Sequence, residues 1–148
     1  MIKKIALILS CIIPAAAFAD CGKVQYPDLP ENAIVFEMGE YTDKNDDDAM
    51  YATIEYNGRI YMPYGTAGGN ISEKDIDICI GYIVQEDEND TDIRVYTLKG
   101  DSENNYLMDY YIGSDLMNQP SFLRAVDTKG KDILTPEYID SLDYNFWK

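Results

Sequence analysis

The sequence predicts a mainly β domain, α+β only through one short C-terminal helix, built as a small antiparallel β-barrel or sandwich of about six to seven strands. Three observations carry this. Asn57-Gly58 stands between two apolar segments, the mark of a two-residue type I′ hairpin. Short runs rich in Ile, Val and Tyr recur along the chain, separated by acidic or Gly-containing loops. Neither face of the Asn-Gly hairpin is cleanly polar, so both are covered, as in a barrel or sandwich and unlike an open sheet with one wet side.

Taken in chain order, residues 1–19 read as a signal peptide. Lys3 and Lys4 form a positive n-region, an apolar run follows from Ile5 to Ile13, and Pro14 precedes a small-x-small site at Ala17-Phe18-Ala19. The run is too short for a permanent membrane span, and no second run of sufficient length follows. The mature chain is then expected to start at Asp20 and be secreted. The alternative is a lipid anchor on Cys21, against which stand Asp20 immediately before it and Phe18 three places upstream.

Residues 20–32 read as an extended arm, since Pro27 and Pro30 forbid regular structure. The single β-rich domain then occupies 33–148. A short strand is expected at Ala33 to Met38 and a loop dense in Asp and Asn at 39–49. The hairpin arms are Met50 to Tyr56 and Arg59 to Tyr64, with Tyr56 opposite Arg59 and Ile54 opposite Tyr61. Strands follow at Ile76 to Val84, Ile93 to Leu98, Tyr106 to Ile112 and Phe122 to Asp127, with a turn at Lys129-Gly130. Thr135-Pro136-Glu137 reads as a helix start, with Tyr138, Ile139 and Leu142 turned inward. Phe146 and Trp147 keep the tail apolar, so it is expected to dock.

Composition excludes more than it assigns. The 148 residues contain no histidine, which removes Ser-His-Asp and Cys-His triads and His-ligated metal sites. Twelve basic residues against 27 acidic ones argue against nucleic acid, because neutralising phosphate needs clustered Lys and Arg. Signal removal takes two of the basic residues and none of the acids. Such a chain stays soluble and monomeric, avoids anionic lipid, and attracts basic proteins or divalent cations.

Four constellations merit chemistry. Cys21 and Cys79 remain after processing, and in an oxidising compartment an even count suggests a disulfide stabilising the fold by about 4 kcal/mol. Strand phase places Cys79 beside Asp77 and Gly81, opposite Ile76, Ile78 and Ile80. Asp43, Asn45, Asp47 and Asp48 resemble the opening of a calcium loop, but the EF-hand template fails: its glycine and closing glutamate positions hold Asp48 and Ile54. A non-EF calcium site is the remaining metal reading, here or at Asp87, Asn89, Asp90 and Asp92. Thirteen tyrosines, with the doublet Tyr110-Tyr111, could stack on sugar rings or form a protein-binding patch. Carboxylate pairs are inevitable among 27 acids and so carry no catalytic information.

The start Cys-Gly-Lys, the hairpin YNGRIYMPYGT at 56–66, CIGYIVQ at 79–85 and the ending TKGKDILTPEYIDSLDYNFWK together resemble uncharacterised small exported or lipid-anchored proteins of Gram-positive gut bacteria. The resemblance implies an extracytoplasmic bacterial setting and supplies no activity or ligand. Asp20 departs from the lipid-anchored pattern. The expectation is a non-enzymatic extracytoplasmic binding or adaptor domain that requires no cofactor. A calcium-dependent or carbohydrate-binding module, or an inhibitor of a basic secreted enzyme, are the alternatives.

Overall fold

The computed structural model describes residues 26–44, 49–66, 71–85, 90–112, 119–140, 142, 144–145 and 147. The segment read as a signal peptide and Cys21 lie outside these residues. The described elements are β1 (Ile34–Phe36), β2 (Gly39–Asp43), β3 (Ala49–Tyr56), β4 (Arg59–Thr66), β5 (Ile76–Ile83), β6 (Ile93–Leu98), β7 (Tyr106–Tyr111), β8 (Ser121–Ala125), α1 (Glu137–Asp140) and β9 (Tyr144–Asn145). Eight strands follow one another in a single curled sheet, β1-β5-β6-β7-β8-β4-β3-β2, forming a half-barrel, and β9 adds to β4. None of the described helices is long and apolar enough to cross a membrane.

The hairpin fixes the centre of this arrangement. Asn57 and Gly58 both adopt positive φ, 51° and 72°, as a type I′ turn demands. Tyr56 pairs with Arg59 and Ile54 with Tyr61, as the two-residue loop dictates. Ile54 and Tyr61 therefore share one face of the sheet, where they join Phe36, Val95, Leu107, Leu123 and Ala125. Residues from β1, β3, β7 and β8 can meet only inside a curl, so this cluster lines the concave side. The convex side holds Ile76, Tyr96, Tyr106, Met108 and Phe122. Tyr26 and Leu29 of the arm cover it, together with Ile139, Tyr138 and Trp147 from the C-terminal segment.

The first and last described residues, Tyr26 and Trp147, are tied down by aromatic and cationic contacts. Tyr26 stacks on Tyr110 with ring centroids 3.9 Å apart. The Trp147 indole N–H donates to the Pro63 carbonyl at 3.0 Å, and its ring lies 4.8 Å from the Arg124 guanidinium carbon. Tyr64 and Tyr106 flank the same guanidinium at 5.4 and 5.5 Å. The tail thus docks, as its apolar end predicts. The C-terminal helix also forms where expected, but only over Glu137–Asp140. The Thr135 hydroxyl hydrogen-bonds the Tyr106 hydroxyl at 2.9 Å.

Three expectations change. First, Gly39–Asp43 is a strand, not part of a loop. It pairs antiparallel with β3, and as an edge strand it needs no apolar alternation to be recognised by its neighbour. Second, β1 pairs parallel to β5, so the sheet is mixed. Third, irregular register in β5 between Ile76 and Cys79, and again between Cys79 and Gly81, breaks the alternation assumed for this strand. Cys79 lands with Ile76 in the buried convex cluster, and Ile78 is left exposed. Among the described residues its thiol has no disulfide partner, and burial pushes its pKa up. The expected disulfide placed Cys79 on the less apolar face, and that placement is wrong.

The docking of β1 depends on one residue. Gly81 sits opposite Ile34, and a Cβ there would collide with the Ile34 backbone, carbonyl oxygen included. Only glycine admits a strand this close. Gly81→Ala is expected to destabilise the fold by about 2–3 kcal/mol or more, through overpacking against backbone that cannot rotate away. A denaturant midpoint reads this loss, and an unchanged midpoint would mean β1 is not held as described.

Candidate functional site

The two ends of the sheet path are consecutive pieces of one segment. β1 ends at Phe36, β2 begins at Gly39, and the strand senses around the sheet make them run in the same direction. This segment pairs with β5 through its first part and with β3 through its second, switching partners at Glu37-Met38. A fork results. The β2–β3 ladder ends at Gly39–Thr53, and no ladder joins β1 to the rest of β3 among the described residues.

The fork leaves backbone groups open. Phe36 accepts the Val84 N–H at 3.0 Å, so Phe36 turns its peptide groups to β5 and Val35 turns its own the other way. On β3, Tyr56 and Arg59 close the two-residue hairpin, so Glu55 belongs to the non-hydrogen-bonded pair with Ile60. Its N–H and C=O therefore point away from β4, towards β1. Val35 and Glu55 present unpaired edges across the same gap.

That gap is a groove of about 550 Å³. Val35, Met38 and Ile60 form its exposed apolar surface, and Glu37, Glu40 and Glu55 line it with carboxylates. Among the described residues the lining contains no basic residue. The hairpin's one arginine, Arg59, is engaged elsewhere: its guanidinium donates to Asp127 at 2.9 and 3.1 Å and to the carbonyls of Glu103 and Asn104 at 2.8 and 3.0 Å.

Beneath the groove lies a smaller cavity of about 110 Å³, which shares Met38, Thr53 and Ile54 with it. Ala52, Pro63, Ile83 and Leu123 make its walls apolar, and Asp109 of β7 supplies a carboxyl. Alternation along β7 explains the placement: Tyr106 and Met108 face the convex core, Leu107 and Asp109 the concave one. Asp109 is half-buried, with its carboxyl at the cavity. Desolvation pushes its pKa up to about 7, against a smaller opposing effect of the Ser121 hydrogen bond. It is the only titratable side chain among the described residues lining the cavity.

The residues singled out from sequence are dispersed by the fold. Asp43 is buried and forms an ion pair with Lys129, so its carboxylate already serves a structural ammonium. Asn45, Asp47 and Asp48 lie outside the described residues, as do Cys21, Asp87 and Asn89. Among the described residues, no group of three or more Cys, Asp or Glu is arranged to hold a metal ion. Tyr110 and Tyr111 do not form a joint platform: Tyr110 is stacked under the arm, and Tyr111 points to the opposite face with 40% of its surface exposed. Asp109 and the groove glutamates were missed. The available signal was an acid set between Met108 and Tyr110 in an otherwise apolar strand.

No family model, characterised protein or solved structure matches this chain.

The raised pKa of Asp109 has a measurable consequence. The folded chain holds this proton more tightly than the unfolded chain, whose carboxyl titrates near about 3.9. The penalty is therefore absent below about pH 4, grows as pH rises to about 7, and stays constant above that. Asp109→Asn removes it, so the variant is expected to match the wild type at pH 3.5 and exceed it by up to about 4 kcal/mol at pH 8. Paired urea titrations across this range read the difference. A gap that does not change with pH would mean that Asp109 is fully solvated.

Proposed function

We propose that this chain is a non-enzymatic extracytoplasmic binding domain, acting as a monomer, that holds a basic protein partner in the acidic groove between β1 and β3. The signal-like N-terminus and the resemblance to exported bacterial proteins support the setting. The observation that carries the reading is the groove itself: two open strand edges, an apolar surface and three glutamates with no basic residue among the described residues of its lining. Open edges bind extended peptide by adding a strand, and the alternating pockets beside them choose the side chains. The glutamates favour a lysine- or arginine-bearing segment and repel acidic ones.

Three of the chain's cations are engaged away from the groove. Arg59, Arg124 and Lys129 are taken up by Asp127, by the Trp147 cage and by Asp43 respectively. Their charges cannot screen the groove at contact range. An inhibitor of a basic secreted enzyme is a special case of this reading, in which the held segment borders the enzyme's active site.

A fluorescent peptide alternating lysine with valine tests it. The wild type is expected to bind it, and to bind more weakly as salt rises from about 0.05 to 0.5 M, where screening dissolves exposed charge contacts. The triple variant Glu37→Gln, Glu40→Gln, Glu55→Gln is expected to lose at least about tenfold in affinity, or about 1.4 kcal/mol. Equal affinity of variant and wild type would place the binding surface elsewhere and sink the groove.

A further inference from the structure

We infer that the cavity beneath the groove is a lysine subsite, which takes the side chain of one lysine of the docked segment with its four-carbon stem between Ala52, Ile54, Pro63, Ile83 and Leu123 and its ammonium on Asp109. The inference rests on the groove being the docking site and adds what the groove selects. Its first support is continuity. Met38, Thr53 and Ile54 line both spaces, so the cavity adjoins the groove, within reach of a side chain turned inward from a strand docked there.

Size and polarity set the class of side chain. At about 110 Å³ the cavity is smaller than the roughly 150 Å³ void that accepts a benzene ring, so an aromatic side chain is excluded. A slim, unbranched stem fits, and the apolar walls suit methylenes. Arginine suits less well, because a guanidinium paired bidentately with the one carboxyl would leave its remaining N–H groups against the apolar walls of a small cavity. Lysine delivers a compact point charge at the end of the required stem.

The carboxyl also has a reason to accept a cation. Burial raises Asp109 to about 7, and its hydrogen-bond partner, Ser121, leaves its negative charge unneutralised. An ammonium placed there stabilises the ionised form and replaces the water that the site has lost. A neutral side chain of the same length would fill the walls and leave the carboxyl protonated. Selectivity for lysine over such a chain should thus grow as Asp109 ionises.

The protein already shows a strand added at a fork of this kind. The β3–β4 ladder stops at Ile54–Tyr61, and beyond it β9 pairs with β4 at Gly65 and Thr66, on the edge that β3 has left. The C-terminal tail fills that fork. The fork between β1 and β3 has no such strand among the described residues.

Two peptides separate the subsite from the groove. They share an alternating sequence with flanking lysines and differ at one central residue, lysine in one and norleucine, the same carbon chain without the ammonium, in the other. The wild type is expected to prefer the lysine peptide by at least about tenfold at pH 8, and the preference is expected to shrink towards pH 5.5. Asp109→Asn should abolish the preference without abolishing binding. Ala52→Leu, which narrows the cavity from an exposed position on β3, should abolish it too and guards against a folding defect in the first variant. Equal binding of the two peptides by the wild type, or a preference that survives both variants, overturns the lysine subsite and leaves the groove standing. If neither peptide binds, the groove reading falls and the subsite with it.

Discussion

One segment of ten residues, 34–43, has to satisfy both ends of the same sheet. Its first part pairs with β5 and its second with β3, with only Glu37 and Met38 between them. Three Cα steps separate Phe36 from Gly39, a reach of about 11 Å at most. Two sheet edges that eight flat strands would hold far apart are therefore brought together, and the sheet has no choice but to curl. The concave core follows from that closure, since Phe36 can meet Ile54 and Leu107 only across the inside of the curl. Irregular register in β4 and β5 supplies the bending where the ladder must turn.

The same constraint opens the site. A strand that changes partner cannot pair fully with both, so a fork remains where β1 has left β3. Natural sheets blunt such edges with charge, and the glutamates at 37, 40 and 55 do this here. On the proposed reading, edge protection and partner selection are one feature: the carboxylates that discourage pairing between copies of the chain would also favour a basic strand. The polar network at the other side of the hairpin holds the frame rigid. Arg59 bridges the hairpin to the β6–β7 loop, and Tyr61 donates its hydroxyl to the Asn104 carbonyl at 2.6 Å. Asp101 closes that loop by accepting the N–H groups of Asn105 and Tyr106 at 3.0 and 2.7 Å.

How much of this was legible depended on how local the signal was. The hairpin and its register followed from Asn57-Gly58, because a two-residue turn admits one pairing. The strand at 93–98 and the docking of Trp147 were equally plain from apolar runs. β2 was not, because Gly39-Glu40-Tyr41-Thr42-Asp43 has no apolar face and forms only through the partner that β3 offers. Cys79 was placed on the wrong face because a bulge resets side-chain phase without leaving a mark in the pattern. The candidate site was the least legible part. Asp109 is one acid among 27, and its meaning comes from residues on five other segments that close around it only when the sheet curls.

The partner-switching strand is the central claim, and native-state hydrogen exchange at single-residue resolution tests it most directly. If the segment divides its pairing as described, the amides of Val35 and Glu55 exchange quickly, because they face the fork. Those of Phe36, Ile54 and Tyr56 stay protected, because they face β5 or β4. Alternating protection of this kind on both strands is the expected result. Uniform protection from Ile34 to Phe36 and from Ile54 to Tyr56 would mean that β1 and β3 are paired with each other, which would close the fork and contradict the account.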